Sequence, residues 1–262
     1  NLNFPILISI GYFGFSGLSF INVNLPSVTT IGDHGFQSCL NLKTISIDSC
    51  TSIGSYGFQS CLNLESISFE SCTSIGNFAF CDCSKLSSIN LPKLTYLNVR
   101  VFANTALTKI ELNGVTDSTN SEVRYIIDNK YYTGCHFQGC KQLTSVTMKS
   151  LTHIGSNMFD GCDLINEVFL DSCKTMDNGC FNSCNSIKKV TLGYDSVTFG
   201  NIPNPKVITN ACFPNALSVP KNIFLDHIEL ISCKLPIVSI IGESAFSGCT
   251  RLVELEIPNV IE

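Results

Sequence analysis

The chain has 262 residues, of which 44% are hydrophobic and only 14% charged, and its formal net charge is −5. This composition can form a core, and it leaves serine, threonine and asparagine to provide the polar surface. Nucleic acid and anionic membranes call for clustered Lys and Arg, so an acidic chain excludes both as partners. No apolar run reaches the roughly 18 to 20 residues of a membrane span, and no membrane insertion is expected.

A 22-residue repeat organises the sequence. It is clearest from Ile31, where IGDHGFQSCLNLKTISIDSCTS is followed by IGSYGFQSCLNLESISFESCTS and then by a looser copy, IGNFAFCDCSKLSSINLPKL. A fixed period with apolar residues in register is typical of a solenoid, whose repeats bury their core only by stacking. We therefore predict a single elongated domain over residues 1–262, with about ten rungs.

Each repeat contains a phenylalanine, here called the anchor phenylalanine, with apolar residues six, nine and eleven positions later. The last two form an Ile-x-Ile pair, which predicts a short strand, and stacked repeats then form one long parallel sheet. The Ile-Gly-x-x-x-Phe segment forms the other wall, and we expect a short helical or 3₁₀ turn at residues such as 37–40. The anchor phenylalanines are taken as Phe15, Phe36, Phe58, Phe80, Phe102, Phe137, Phe159, Phe181, Phe213 and Phe246.

Three intervals between anchors exceed 22 residues, and they predict insertions near residues 113–134, 193–211 and 214–240. In the last interval, two segments match the strand position of the repeat, residues 217–220 and 228–230, and the sequence does not decide between them. Residues 123–132 of the first interval read as a β-hairpin with its turn near residues 128–129. Insertions in a repeat protein form loops on one face, and such loops often bind partners.

Both ends of the sequence fall within a repeat. Phe4-Pro5 occupies the position of Leu25-Pro26 one repeat later, and the chain stops shortly after Ile257-Pro258. Terminal repeats normally differ so as to cover the exposed core. We therefore expect this chain to be a fragment of a longer protein.

The repeat frame resembles a known family. The pattern IG-x-x-x-F-x-x-C-x-x-L-x-x-I-x-I/L-P is similar to the BspA-like, Treponema-type class of leucine-rich repeat, from about Phe4 to Val260. The resemblance implies a leucine-rich-repeat solenoid: a curved right-handed coil with one long parallel β-sheet and short 3₁₀ or helical turns on its convex side. It also implies adhesion and protein binding at the surface of oral bacteria or parasitic protists, without family-wide catalytic residues.

Fifteen cysteines raise the question of disulfides or metal. Cysteines that recur with the repeat stack into the core as small buried hydrophobes, and we predict free thiols at these positions. Local bridges, Cys135 with Cys140 or Cys180 with Cys184, stay open as an alternative. The recurring cysteines lie three residues after the anchor (Cys39, Cys61, Cys83, Cys140, Cys162, Cys184, Cys249) or fourteen after it (Cys50, Cys72, Cys173).

The sequence does not indicate catalysis. It has no Cys-x-x-Cys pair, no His-Glu-x-x-His, no P-loop and no Gly-x-Ser-x-Gly, so we predict no metal site, no cofactor and no enzyme. A spatial triad can still hide from a sequence. A hydrolase grafted on the solenoid therefore stays as a third hypothesis.

Residues that alternate with the buried strand residues face outward, and they are where a partner could bind. The early ones are small hydroxyls, which a merely soluble sheet also needs. Phe169 departs from them and lies beside Glu167 and Asp171. Tyrosines of the insertions offer large amphipathic contact area, although a hairpin that only packs over the coil is equally expected. The partner-binding candidates are Tyr125, Tyr131, Tyr132, Glu167, Phe169, Asp171 and Tyr194.

We therefore predict a non-enzymatic protein-binding or adhesion module of a cell-surface or secreted protein, whose partner is a host or neighbouring-cell protein. The alternative is an intracellular, cytoplasmic scaffold for protein–protein interaction. It is motivated by the apparently free thiols, which suit a reducing compartment.

Overall fold

The computed structural model describes residues 2–116, 125–127, 130–132, 135–196, 198–200 and 202–257. The chain forms a solenoid of parallel strands, confirming the predicted architecture. Each turn of the solenoid, here called a rung, contributes one short strand to a first wall. These strands are β1 (Leu2–Asn3), β3 (Asn22–Asn24), β5 (Thr44–Ser46), β7 (Ser66–Ser68), β9 (Ser88–Asn90), β10 (Lys109–Glu111), β13 (Ser145–Thr147), β15 (Glu167–Leu170), β17 (Lys189–Leu192), β18 (Asn210–Cys212), β20 (Ser232–Lys234) and β22 (Glu254–Glu256).

Equivalent residues of successive rungs pair in register, as Val23 does with Ile45. Most of the three-residue strands bury their middle residue and turn the residues on either side of it outward, as in Thr44–Ser46. This alternation is the period of a strand with one wall buried. Hydrogen bonds divide the wall into three groups along the solenoid: β1-β3-β5, β7-β9, and the seven strands from β10 to β22.

A second wall consists of two-residue strands from the Ile-Gly segments. Its strands also run parallel, and Ile31 pairs with Ile53. Most of these strands bury one apolar residue against the first wall. The strands are β2 (Ser9–Ile10), β4 (Thr30–Ile31), β6 (Ser52–Ile53), β8 (Ser74–Ile75), β14 (His153–Ile154), β16 (Thr175–Met176), β19 (Ser218–Val219) and β21 (Ile240–Ile241).

The turns after the second wall are not helical, which corrects the expectation for residues 37–40. His34 and Ser38 both have positive φ, 59° and 57°. The N–H groups of His34, Phe36 and Ser38 therefore point along the solenoid axis, where they donate to carbonyl oxygens of the next rung at 2.7 to 2.8 Å. Because these donors are satisfied between rungs, the turn needs no helix. One 3₁₀ helix, Pro205–Val207, occurs in the described part of the chain.

The core contains a stack of anchor phenylalanines. Phe36 and Phe58 lie 5.1 Å apart between ring centroids and are nearly parallel. Comparable stacked pairs continue through Phe159 and Phe181, at 5.1 Å. The stack then stops, and it resumes with Phe224 and Phe246 at 4.8 Å.

This interruption corrects the predicted insertions at 193–211 and 214–240. Lys189, Asn210, Ser232 and Glu254 pair in succession, so these steps are 21, 22 and 22 residues, the ordinary period. Phe213 is not an anchor, because its N–H bonds Lys234 just as the N–H of Phe69, at the end of another strand, bonds Asn90. The anchor of that rung is Phe224. Neither 217–220 nor 228–230 supplies the first-wall strand, which is Ser232–Lys234.

The rung that follows Leu192 lacks an anchor phenylalanine. Tyr194, Phe199 and Ile202 fill the space instead, and all three belong to the core cluster. The short 3₁₀ helix lies in this same rung. We call residues 193–209 the irregular rung.

The first predicted insertion is present. Lys109 pairs with Ser145, a step of 36 residues. Within it, β11 (Tyr125–Ile127) and β12 (Lys130–Tyr132) form the predicted antiparallel hairpin, with Tyr125 opposite Tyr132. The turn residues 128–129 lie outside the described residues.

Candidate functional site

The outward face of the first wall, here called the sheet face, changes character along the solenoid. Its early rungs present hydroxyl and amide side chains, and several of them bond across rungs, as Thr44 does to Asn22 at 2.7 Å. Its later rungs present charges and one aromatic ring. The column that contains Phe169 consists of Asn3, Asn24, Ser46, Ser68, Asn90, Glu111, Thr147, Phe169, Thr191, Cys212, Lys234 and Glu256.

Phe169 is placed between two threonines. It pairs with Thr147 on one side and Thr191 on the other, and its side chain is half-buried. The ring borders two shallow grooves, of about 640 Å³ and 400 Å³. Within the described residues of its column, Phe169 is the one aromatic side chain. This placement agrees with the predicted outward orientation.

Asp171 lines the larger groove beside Phe169, together with Lys149 and Glu111. No ion pair involves these three charged groups in the part of the chain that the structure describes. Asn215 fixes the backbone at this edge of the groove. Its side-chain amide donates to the main-chain oxygens of Asp171 and Gly193 at 3.2 and 3.1 Å. Unpaired charges around an apolar ring suit recognition of a complementary protein surface.

Glu167 lies two residues before Phe169 on the same strand. Its carboxylate pairs with Lys189 of the next rung at 2.7 Å, with 33% and 51% of the two side chains exposed. Lys234 and Glu256 form a similar pair at 2.9 Å. Exposed pairs of this kind contribute little to stability, so they order the face more than they stabilise the fold.

The other predicted contact residues are not brought to this face. Tyr194 is 9% exposed and packs in the core, where burial raises the pKa of its hydroxyl. Its ring fills space in the irregular rung, so we remove it from the candidate site. The side chains of Tyr125, Tyr131 and Tyr132 lie outside what the structure describes.

The attachment points of the hairpin can still be located. Thr116 donates to Thr95 in the row of Thr51 and Thr73, just before the second wall. The chain rejoins the solenoid at Cys135. The insertion thus leaves the coil at the edge of the second wall, away from the sheet face.

Several residues of the face were missed by the sequence prediction. Asn210, Cys212, Ser232 and Lys234 line the smaller groove with Phe169. Because Phe213 was taken as an anchor phenylalanine, the strands that contain these residues were assigned to insertions. Counting back 22 residues from Glu254 would have found Ser232, and repeating the step would have led to Asn210.

The cysteines form the predicted columns. All fifteen are free, and thirteen of them are buried, with Cys212 and Cys249 half-buried. The suggested local bridges of Cys135 with Cys140 and Cys180 with Cys184 are therefore not formed. Burial raises the pKa of Cys50 to about 12 and of Cys72 to about 11, so these thiols stay protonated.

The histidines lie apart from one another. Each ring has its own polar neighbour, and His153, for example, is 2.6 Å from Thr175 Oγ1 and 3.5 Å from Asp177. Across the residues that the structure describes, no group of three or more His, Cys, Asp and Glu side chains is arranged to hold a metal ion. Nor does any helix among them have the length and apolar character to cross a membrane.

A solenoid of short parallel strands whose 22-residue repeats bury leucine and isoleucine at fixed positions is typical of the leucine-rich-repeat class of proteins. The chain belongs to the BspA-type leucine-rich-repeat family. The model of the BspA type leucine rich repeat region matches in six copies, over residues 8–125, 127–218 and 217–262. This architecture is suited to protein–protein interaction, because it offers an extended face.

Solved structures with TM-scores above 0.5 share this fold. A leucine-rich repeat protein from Bacteroides ovatus is 23% identical with a TM-score of 0.55, over 100% of this chain and 76% of that one. The chain is also similar to TLR13 in its complex with ssRNA13, at 18% identity and a TM-score of 0.53, over 95% of this chain and 34% of that one. A leucine rich cell surface protein from Faecalibacterium prausnitzii is 19% identical with a TM-score of 0.39, over 98% and 87% of the two chains. No curated protein matches significantly.

Proposed function

We propose that the chain is a non-enzymatic recognition module of a cell-surface protein, and that it binds a partner protein through the later rungs of the sheet face. The observation that carries this proposal is Phe169, a half-buried aromatic ring between two grooves on an otherwise polar face. A partner side chain seated in either groove would cover the ring. Glu111, Lys149 and Asp171 would then select the partner by charge.

The energetics of interfaces support this choice. Binding energy concentrates in a few aromatic or charged residues that are surrounded by polar contacts which exclude water. Phe169 has such surroundings in Thr147, Thr191 and Asp171. The early rungs, with small hydroxyls at the same positions, have no comparable apolar group in the described columns.

A crosslinking experiment tests the proposal. A photoreactive phenylalanine analogue is placed at position 169 of the full-length protein and, as a matched control, at position 68 of the same column. We expect a crosslinked partner protein from position 169 and not from position 68. No product from position 169, or the same products from both, would contradict the proposal.

The partner found in this way allows a quantitative test. Phe169→Thr should weaken its binding by at least about tenfold, the effect of removing an interface hot spot. The fold should be retained, because threonine flanks this position on both strands and suits a pleated sheet. Ser68→Ala should leave the affinity unchanged.

An intracellular scaffold is the second candidate, because fifteen unpaired cysteines suit a reducing compartment. Treating intact cells with a protease that cannot enter them distinguishes the cell-surface module from the intracellular scaffold. Loss of the protein from intact cells would support the surface role. Full protection, followed by digestion after lysis, would support the scaffold.

A further inference from the structure

His227 occupies a position that cysteine holds in most rungs. It lies three residues after the anchor Phe224, as Cys61 does after Phe58 and Cys249 after Phe246. One other rung has Thr105 at this point. Both cysteine and threonine are small and can donate a hydrogen bond, whereas histidine is larger and can take up a proton.

The imidazole is enclosed by aromatic rings. It is 4% exposed, stacks on Phe199 at 5.4 Å and lies edge-on to Phe224 at 5.6 Å. Its Nδ1 is 3.3 Å from the carbonyl oxygen of Leu225, which can only accept, so Nδ1 carries the proton. Nε2 is buried and has no hydrogen-bond partner among the described residues.

A second proton would go to Nε2, where no described acceptor is within reach. The charged groups nearby do not help. Lys206 of the 3₁₀ helix is positive, the Cys249 thiol of the next rung is neutral, and the Asp226 carboxylate lies beside Gly248. Burial lowers the pKa of His227, and Lys206 lowers it further.

His227 also lies at a weak point of the core, next to the interruption of the phenylalanine stack. The phenylalanine stack is interrupted between Phe181 and Phe224, and Phe199 bridges part of the gap. Phe199, Phe224 and His227 therefore hold the irregular rung to the rung after it. We call these three residues the aromatic joint.

We propose that the aromatic joint is an acid-sensitive element of the solenoid, which loosens when His227 takes up a proton. Well above pH 6.5 the imidazole is neutral whether the joint is closed or open, so a change of pH has no effect there. Below pH 6.5 the open state binds the proton and the closed state does not. The opening equilibrium then rises by up to tenfold per pH unit, until the lowered pKa of the closed state is reached.

The joint is linked to the candidate binding face through one intervening residue, Phe213. Phe199 packs against Phe213 at 6.0 Å, and Phe213 directly follows Cys212, which lines both grooves. Loosening of the joint would therefore release a partner at low pH. This consequence rests on the proposed function, whereas the loosening itself does not.

Hydrogen exchange of the full chain tests the joint without a partner. Exchange is followed at pH 7.5, 6.5 and 5.5 and corrected for the intrinsic rate. The reporter amides are those of Phe224 and Leu230, which bond Ala245 and His227, and the control amides are those of Phe58 and Phe80. The variants are H227C and H227T, the residues found at this position in other rungs.

We expect opening at the reporter amides to rise up to about fivefold more from pH 6.5 to 5.5 in the wild type than in either variant, because the open-state imidazole is already half protonated at pH 6.5. The control amides should behave alike in all three proteins. An equal pH dependence in wild type and variants would overturn the proposal. If neither variant folds, the NMR titration of His227 in the wild type decides, since a midpoint at or above 6.5 would also overturn it and a lower midpoint would support it.

Discussion

The thiol of Cys61 donates a hydrogen bond of 3.1 Å to the main-chain oxygen of Phe36, one rung earlier. The same oxygen accepts the N–H of Cys39 at 3.2 Å. The recurring cysteine is thus a small buried residue that also links two rungs. Equivalent thiol bonds run from Cys39, Cys83, Cys140, Cys162, Cys184 and Cys249.

Cys61→Ala should lower the free energy of unfolding by about 1–3 kcal/mol, because it removes both buried volume and the thiol hydrogen bond. Cys61→Thr should cost less, since Thr105 fits the same position and keeps a buried hydrogen bond there, to the main-chain oxygen of Phe102 in its own rung at 2.9 Å. Urea denaturation measures both. An equal loss in the two variants would show that the hydrogen bond does not contribute.

Alkylation of native protein at pH 7 should be fastest at Cys212 and Cys249, the two half-buried thiols. The remaining thiols should react only after denaturation. Burial raises the pKa of Cys173 to about 11, so little of the reactive thiolate forms there at neutral pH. Mass spectrometry of the labelled peptides gives the rates. Labelling of Cys61 as fast as Cys212 would contradict the burial of the recurring cysteines.

Gly54→Ala should destabilise the fold by about 1–3 kcal/mol by overpacking. A Cβ there would lie 2.6 Å from the carbonyl carbon of Gly32, whose backbone cannot move independently. Gly11 holds the same position in the first complete turn and has open space around it, which makes Gly11→Ala the matched control. Thermal unfolding should shift for the first variant and hardly at all for the second.

Phe58→Ala should cost about 3–5 kcal/mol by truncating a side chain in the phenylalanine stack. The ring is fully buried and stacks on both Phe36 and Phe80. Ser66→Ala, on the sheet face, should change stability by less than about 0.5 kcal/mol. Similar losses from both substitutions, measured by denaturant unfolding, would mean that the assigned register is incorrect.

Regular rungs were predictable because their chemistry repeats. Phe58, Leu64 and Ile67 stand at constant distances, and each is buried where the repeat places it. The hairpin was predictable for a similar reason, since its β-rich residues flank a polar turn. Phe169 was also recognised, as a departure from a constant column.

The irregular rung was predicted incorrectly because phenylalanine occurs at two positions of the repeat, the anchor and the residue after the first-wall strand. Phe213 follows a strand, as Phe69 does, yet the spacing rule treated it as an anchor. The rung has no anchor phenylalanine, so the pattern offered no correct alternative. Two insertions were predicted where the chain simply continues its coil.

The sequence by itself determined the repeat, the two-walled solenoid and the identity of the buried columns, because stacking forces equivalent residues into equivalent environments. The tertiary structure decided what happens where the repeat fails. Tyr194 turns into the core and His227 becomes enclosed by rings from the rungs around it. The packing space at those points is left by residues that are missing, and a local pattern does not record which distant side chain will fill it.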